Sequence, residues 1–316
     1  MAFLSIQNLH TYYVTKKRLF TPKLTIYALK DFSLNVQKGE FIAIVGESGC
    51  GKTTLGNTLV GLLTPTKGKV IYHGQEILSP QTNLLKRNLD LRKKFQMIFQ
   101  DPYSSLNPKH TIKTYLSSAL KIHQKKEIDE SLKYYLSLVH LPLDILKRYP
   151  HELSGGQRQR VSIARAISLQ PEVLVCDEIT SALDVSVQAY ILELLKELQE
   201  KFNLTIFLIT HDLSIVRYIS TKVCVMYGGE IMEIAPTKEL FSNPKHPYTK
   251  ALLESVPTLN RKRKPKLLEG EPPKTNQIYN YCIFYDRCSI RKDLCRTQKP
   301  NMIENNNHQV KCFFSN

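Results

Sequence analysis

The sequence lacks any run of about 18 or more apolar residues, the shortest that suggests a membrane-spanning helix. Near its start it also lacks the basic region followed by an apolar core that marks a secretory signal peptide. No internal repeat is present. With 316 residues, of which 42% are hydrophobic, the chain can bury a large core. These features predict a cytoplasmic protein with one main domain and an appendage, which reaches a membrane only through partner proteins.

Acidic residues are scarce relative to basic ones. The chain has 28 Asp and Glu against 44 Lys and Arg, a formal net charge of +16. The densest basic cluster, residues 261–266, has no interleaved aromatic residues of the kind that stack on bases. We therefore predict a solvated linker near an anionic membrane surface and no nucleic-acid partner. Binding to nucleic acid is the alternative that the charge alone leaves open.

One glycine-rich segment matches the G-x-x-x-x-G-K-[ST] phosphate loop. Its residues are Gly46, Glu47, Ser48, Gly49, Cys50, Gly51, Lys52 and Thr53. An apolar run at residues 41–45 precedes it, and a helical pattern follows until Pro65. Backbone N–H groups would bind phosphates, Lys52 would reach the β- and γ-phosphates, and Thr53 would contact Mg²⁺. A chance match is the alternative, which the flanking strand and helix make a poor one.

A carboxylate pair follows a second apolar run. Residues 173–176 predict a buried strand that ends at Asp177 and Glu178. Ligands bind at this edge of open α/β sheets. Asp177 is predicted to hold Mg²⁺, and Glu178 to act as the general base that polarises the attacking water. An isolated acidic pair could instead cap a helix, but that role would not account for the neighbouring motifs.

A second candidate anion site begins another predicted helix, which extends to residue 169. Its residues are Ser154, Gly155, Gly156 and Gln157. Free N–H groups at a helix start, a hydroxyl and glycines without side chains suit a phosphate. Two such sites in one chain suggest a dimer in which each molecule completes the other's site. An ordinary capped helix is the alternative.

Two further polar residues follow predicted strands. His211 comes after residues 204–210 and is placed to donate a hydrogen bond to the γ-phosphate. Gln100 comes after residues 95–99, where it would contact Mg²⁺ and report the nucleotide state to a neighbouring segment. A lone histidine is more often structural, and the glutamine alone carries no weight. Their order along the chain favours function.

These five motifs together resemble the nucleotide-binding subunit of an ABC transporter, with Walker A, Q-loop, signature, Walker B and switch histidine in family order. The resemblance covers essentially the whole chain. It implies an α/β fold with a RecA-like core, an antiparallel β subdomain and a helical subdomain. It also implies ATP binding by Thr54, a dimer-seam position for Asp184, and an adenine-stacking role for Tyr13, with Tyr27 a weaker candidate.

Longer segments indicate which group of ABC transporters the chain resembles. Residues 99–108, 176–188 and 246–253 resemble importers of dipeptides, oligopeptides and nickel, and residues 155–158 resemble the F-type of their two ATPase subunits. The resemblance implies ATP hydrolysis by Glu178, His211 and Lys52 that drives peptide uptake. Ile179 departs from the family's proline, so we expect a less rigid loop after Glu178.

The same resemblance implies partners and a location. They are two integral membrane permease subunits, a second ATP-binding subunit of the D-type, and an external substrate-binding protein. The chain would be peripheral, at the cytoplasmic face of the membrane. We expect an ATP-binding domain at 1–235, with a helical insert at about 103–165 that docks the permease, and an extension at 236–316. Import of nickel or metal chelates, and a soluble ABC ATPase acting on nucleic acid, are the alternatives.

The cysteines form two groups. Cys50, Cys176 and Cys224 lie in the phosphate loop or in predicted strands, where a small buried residue explains them. The others are Cys282, Cys288, Cys295 and Cys312. Their spacings match neither a zinc ribbon nor a ferredoxin, yet a reducing cytoplasm favours metal over disulfides. The set resembles the C-terminal extension of peptide-importer ATPases, where it can hold a four-iron four-sulfur cluster; zinc and no metal are the alternatives.

Overall fold

The computed structural model describes residues 2–14, 24–101, 106–123, 127–255 and 268–315. The basic cluster at 261–266, and residues 102–105 of the segment after Gln100, lie outside the described residues.

The strands form two sheets. In chain order they are β1 Leu4–Val14, β2 Thr25–Val36, β3 Phe41–Val45, β4 Lys67–Tyr72, β5 Gln75–Leu78, β6 Phe95–Ile98, β7 Val173–Asp177, β8 Thr205–Ile209, β9 Lys222–Tyr227, β10 Glu230–Pro236, β11 Ile303–Asn305 and β12 His308–Val310. The smaller sheet is antiparallel with the order β2-β1-β4-β5. The larger has the order β11-β12-β10-β9-β3-β8-β7-β6, and its strands from β9 to β6 are parallel. The α/β fold class is thus confirmed.

Helices connect several of the strands. They are α1 Lys52–Leu59, α2 Leu84–Arg87, α3 Leu89–Lys94, α4 Ile112–Ile122, α5 Ile128–Leu138, α6 Gly155–Ile167, α7 Val185–Phe202, α8 Leu213–Ile219, α9 Thr237–Ser242, α10 Pro247–Ser255 and α11 Asp293–Thr297. Short 3₁₀ turns occur at Leu143–Lys147, Pro150–Glu152 and Tyr285–Arg287. Among the described residues, none of these helices is long and apolar enough to span a bilayer.

The core explains why the central strands are apolar along their whole length. Leu174 and Cys176 of β7 belong to one hydrophobic cluster, which includes residues of α6 and α7. Val173 and Val175, which alternate with them, belong to a second cluster with residues of α1 and the smaller sheet. Because both faces are covered, every residue of β3, β7 and β8 is buried. The predicted strands at these positions are confirmed.

The C-terminal region continues the larger sheet. The hairpin β9–β10 pairs on its outer side with β12 (Glu233 opposite Val310), and β12 pairs with β11. Buried charges fix this junction. Glu230 accepts hydrogen bonds from Lys299 at 2.8 Å and Lys311 at 2.7 Å, and Glu233 pairs with His308 Nε2 at 2.7 Å. The extension therefore docks through ionic contacts on a strand of the core.

Candidate active site

The parallel strands bring the predicted motifs to one edge. β3 ends at the phosphate loop, β7 ends at Asp177, and β8 ends just before His211. Because β3, β8 and β7 are neighbours in register, their carboxyl ends lie side by side. Residues separated by up to about half of the chain are thereby assembled into one site.

The phosphate loop requires glycine for close packing. A Cβ at Gly46 would lie 2.1 Å from the carbonyl oxygen of Met226, and one at Gly51 would lie 2.2 Å from that of Ala28. Gly51 also has a φ of 103°, which residues other than glycine rarely adopt. The loop is thus pressed against the β9–β10 hairpin and β2, with α1 beginning directly after it.

Lys52 closes the loop on itself. Its ammonium donates hydrogen bonds to the carbonyl oxygens of Gly46 at 2.7 Å and Glu47 at 3.0 Å. The residue is only 6% exposed. A buried ammonium needs such partners, and a phosphate would be a further one.

Thr53 and Asp177 form the oxygen pair expected of a magnesium site. The Thr53 hydroxyl donates to Asp177 Oδ1 at 3.3 Å. Burial raises the pKa of the Asp177 carboxyl, and the Thr53 hydrogen bond opposes that shift. Hydroxyl and carboxylate oxygens are ligands that Mg²⁺ prefers, so the donor set fits this ion.

Glu178 is the centre of a second group. Its Oε2 accepts a hydrogen bond from Gln100 Nε2 at 3.0 Å, and its Oε1 lies 3.4 Å from His211 Nδ1. The His211 side chain is 62% exposed and that of Glu178 21%. An adjoining open cavity of about 460 Å³ is lined by Gly46, Glu47 and His211, among others. A ligand in it would contact both the loop and the histidine.

The turn after Glu178 is held by hydrogen bonds and packing. Glu178 has a φ of 44°, and its carbonyl oxygen accepts from the Ser181 hydroxyl at 2.9 Å and the Ser181 N–H at 3.2 Å. Ile179 is 2% exposed within a core cluster, so its side chain packs this turn against the core. The lower rigidity expected of the loop stays a prediction.

The signature segment caps its own helix. The Ser154 side chain accepts from the Gln157 N–H at 3.3 Å, and Gln157 Oε1 accepts from the Ser154 N–H at 3.0 Å, a capping box for α6. Asp184 caps α7 with its side chain alone, accepting from the Val187 N–H at 2.9 Å. Ser154 and Gly155 are exposed. Within one molecule, these are the contacts of ordinary capped helices, and a role across a dimer needs the second molecule.

Tyr13 lies beside the start of α1. Its hydroxyl is 3.3 Å from the Thr54 hydroxyl, and the residue is 40% exposed. Tyr27 instead packs against Tyr12, with ring centroids 5.7 Å apart, and its N–H bonds to Thr275. Of the two aromatic candidates, Tyr13 is therefore the one adjacent to the phosphate-binding helix.

Sequence reasoning missed two residues that contact the loop. The Tyr248 hydroxyl accepts a hydrogen bond from the Glu47 N–H at 2.9 Å. Arg287 forms two hydrogen bonds to the Glu47 carboxylate, at 2.7 and 2.9 Å. Tyr248 belongs to residues 246–253, which entered the sequence analysis only through their family resemblance. Arg287 belongs to no motif. Nothing in the sequence could have indicated either contact.

The four C-terminal cysteines are near one another without forming a metal site. Burial, with smaller contributions from the three neighbouring cysteines, raises the pKa of the Cys282 thiol to about 12. Metal ligation needs thiolates. Within the described ranges, no group of three or more His, Cys, Asp or Glu side chains is arranged to hold a metal ion. The predicted four-iron four-sulfur cluster is thus not supported.

Comparisons with known proteins agree with this geometry. The family described as ABC transporter matches residues 29–181, and the one described as oligopeptide/dipeptide transporter, C-terminal region, matches residues 232–295. The oligopeptide transport ATP-binding protein AppF of Bacillus subtilis is 43% identical over 95% of this chain and 93% of its own length. OppF of Haemophilus influenzae is 40% identical over 94% of this chain and 92% of its own.

Solved structures give the same fold. The ATP-binding cassette MJ0796, described as a dimer bound to ADP and Pi, is 28% identical with a TM-score of 0.64, over 74% of this chain and 98% of that one. The cbiO1 structure from Clostridium perfringens is 29% identical with the same TM-score, over 76% of this chain and 91% of that one. The chain therefore belongs to the ABC transporter family, as an ATP-binding subunit of the oligopeptide transport group.

Proposed function

We propose that this protein hydrolyses ATP to drive import of oligopeptides or dipeptides through a membrane permease. The observation that carries the proposal is the convergence on Glu178 of Gln100 and His211, next to the Thr53–Asp177 pair. The cargo class comes from the relatives AppF and OppF, which are oligopeptide transport ATP-binding proteins.

Each residue of the site has a proposed part. Lys52 and the loop N–H groups bind the β- and γ-phosphates, and Thr53, Asp177 and Gln100 would hold Mg²⁺, which neutralises phosphate charge when bound. Glu178 orients the attacking water and takes its proton, because its carboxylate is held in place by Gln100 and His211. His211 contacts the γ-phosphate, and Tyr13 stacks on the adenine.

The remaining ligands come from a second molecule. Ser154, Gly155, Gly156 and Gln157 begin α6, where Ser154 and Gly155 are exposed, and Asp184 lies at an exposed turn. We propose that they face the ATP of a head-to-tail partner, a D-type paralogue. The partner's helix N-terminus would add donors to the γ-phosphate as water is excluded.

The helical region would transmit this closure to the permease. Exposed apolar side chains there include Ile122 at 58%, Tyr134 at 44% and Leu143 at 49% exposure. We propose that this region, within about 103–165, docks one of two integral membrane subunits, which holds the chain at the cytoplasmic face. An external binding protein would deliver the peptide. The extension would begin at about residue 236.

Substitution of the proposed base tests the function. Glu178→Gln should retain ATP binding and lower steady-state hydrolysis by at least about 100-fold, because the amide cannot accept the proton. ATP should then trap a dimer with the partner subunit that size-exclusion chromatography detects. Glu193→Gln, which alters an exposed carboxylate bonded to Tyr218, is the control. Hydrolysis by Glu178→Gln at the wild-type rate would refute the assignment.

The cargo and the metal need separate experiments. Reconstituted complexes should show ATP hydrolysis stimulated by peptide-loaded binding protein; stimulation by nickel chelates alone, or by nucleic acid, would favour the alternatives. A four-iron four-sulfur cluster in the extension stays a proposal outside the hydrolytic mechanism. Anaerobically purified protein containing iron and sulfide in equal amounts would support it, and a colourless zinc-loaded protein would contradict it.

A further inference from the structure

The C-terminal extension reaches directly into the phosphate loop. Arg287, at the end of a 3₁₀ turn, lies 240 positions after Glu47 in the sequence. Its Nη1 donates to Glu47 Oε2 at 2.7 Å and its Nη2 to Glu47 Oε1 at 2.9 Å. The Arg287 side chain is 5% exposed and that of Glu47 26%. Paired N–H donors on one carboxylate fix direction as well as distance.

The guanidinium has further partners that fix its position. Its Nη1 also donates to the Tyr227 hydroxyl at 3.3 Å, and its Nε donates to the Glu269 carbonyl oxygen at 3.2 Å. Tyr227 is the last residue of β9, whereas Glu269 belongs to the extension. Arg287 therefore joins the core sheet, the extension and the phosphate loop at one point.

Glu47 is in turn bonded through each of its polar groups. Its N–H donates to the Tyr248 hydroxyl at 2.9 Å, its carbonyl oxygen accepts from Lys52 Nζ at 3.0 Å, and its carboxylate accepts from Arg287. Glu47 thus contacts Lys52, which is expected to bind phosphate, and also Tyr248 and Arg287 from later parts of the chain. A shift of Glu47 would move both a loop N–H donor and a carbonyl that orients Lys52.

We propose that Arg287 is a positioning residue for the phosphate loop, so that the docked extension sets the affinity of the site for ATP. The inference rests on the proposed ATPase function and adds to it a regulatory contact within one chain. Arg287 holds Glu47, Glu47 holds the loop and Lys52, and the loop binds the phosphates. Undocking of the extension would release the carboxylate and let the loop sample other conformations.

A double-mutant cycle tests this route. Arg287→Gln and Glu47→Gln should each raise the KM for ATP about tenfold, with kcat changed less than about twofold, because Glu178 and its partners are untouched. The KM of the double variant should not exceed the higher of the two single-variant values, because either substitution alone breaks the same ion pair. Arg291→Gln, which removes an exposed arginine bonded to the Asp286 carbonyl oxygen, should leave KM unchanged.

Other results would overturn the proposal. If Arg287→Gln lowers the thermal midpoint while KM stays at the wild-type value, Arg287 only stabilises the fold. If the effects of the two substitutions on KM multiply, they act independently. Arg287→Lys keeps the positive charge but loses the paired hydrogen bonds to the Glu47 carboxylate. This variant is a control for folding and should give an intermediate KM. A wild-type protein that neither binds nor hydrolyses ATP would instead refute the proposed function.

Discussion

Lys52 fixes the shape of the phosphate loop through its buried charge. Its ammonium is buried and bonded to two carbonyl oxygens of its own loop. A buried charge without partners would be costly, so these carbonyls stabilise it. The conformation of the loop therefore depends on the same side chain that we propose binds the β- and γ-phosphates.

Replacing this lysine should remove nucleotide affinity. We expect Lys52→Ala to weaken ATP binding at least about 100-fold, because charge-assisted bonds to phosphate and the closure of the loop are lost together. Titration with a fluorescent ATP analogue measures the change. Lys93→Ala removes an exposed lysine paired with Asp90 and should bind as the wild type does. Equal affinities of the Lys52 and Lys93 variants would contradict the role.

At the scale of elements, the position of α6 depends on one glycine. A Cβ at Gly156 would lie 2.6 Å from Val187 Cγ1 of α7, too close for real atoms. At the adjacent Gly155, a Cβ would lie 3.3 Å from the flexible end of Leu183. The close approach of α6 to α7 therefore requires glycine at Gly156, whereas the packing at Gly155 does not.

This difference predicts that alanine substitution at the two positions affects stability differently. Gly156→Ala should lower the free energy of unfolding by about 1–3 kcal/mol through overpacking, which outweighs the roughly 1 kcal/mol that alanine contributes to a helix. Gly155→Ala should be neutral or stabilising. Denaturant unfolding measures both. Adding Val187→Ala should recover part of the loss in Gly156→Ala, and failure to do so would show that the contact is not the cause.

At the scale of the whole molecule, a buried ionic group joins the extension to the core. Burial alone would raise the pKa of the Glu230 carboxyl, but the charges and hydrogen bonds of Lys311 and Lys299 outweigh it and lower that pKa. A carboxyl whose pKa is lower in the folded state stabilises the fold above its unfolded pKa of about 4.3. That contribution disappears as the pH falls through the lower, folded value.

Acid should therefore weaken docking of the extension. We expect the free energy of unfolding to fall as the pH drops below about 4, and the Glu230→Gln variant to show a flatter dependence in this range. Unfolding at several pH values measures the difference. Glu193→Gln alters an exposed carboxylate bonded to Tyr218 and should keep the wild-type slope. The same slope in Glu230→Gln would indicate that other carboxyls dominate.

The sequence by itself determined the chemistry and most of the core. The strands at β3, β7 and β8 and the loop at residues 46–53 are local patterns, because a strand buried on both faces needs apolar residues throughout and a phosphate loop needs glycines. Apolar residues at helical spacing likewise form the buried face of α7, with Ile191, Leu194, Leu195 and Leu198. The family resemblance rests on these local patterns, and the relatives confirm it.

Only the tertiary structure decided which distant side chains meet. The contacts of Glu178 with Gln100 and His211 depend on the order of strands in the sheet, and that of Arg287 with Glu47 depends on where the extension docks. An arginine in an irregular segment carries no periodicity or motif, so its partner is set by packing over the whole chain. For the same reason, cysteine spacing could suggest a metal cluster, whereas thiol placement in space determines whether one can form.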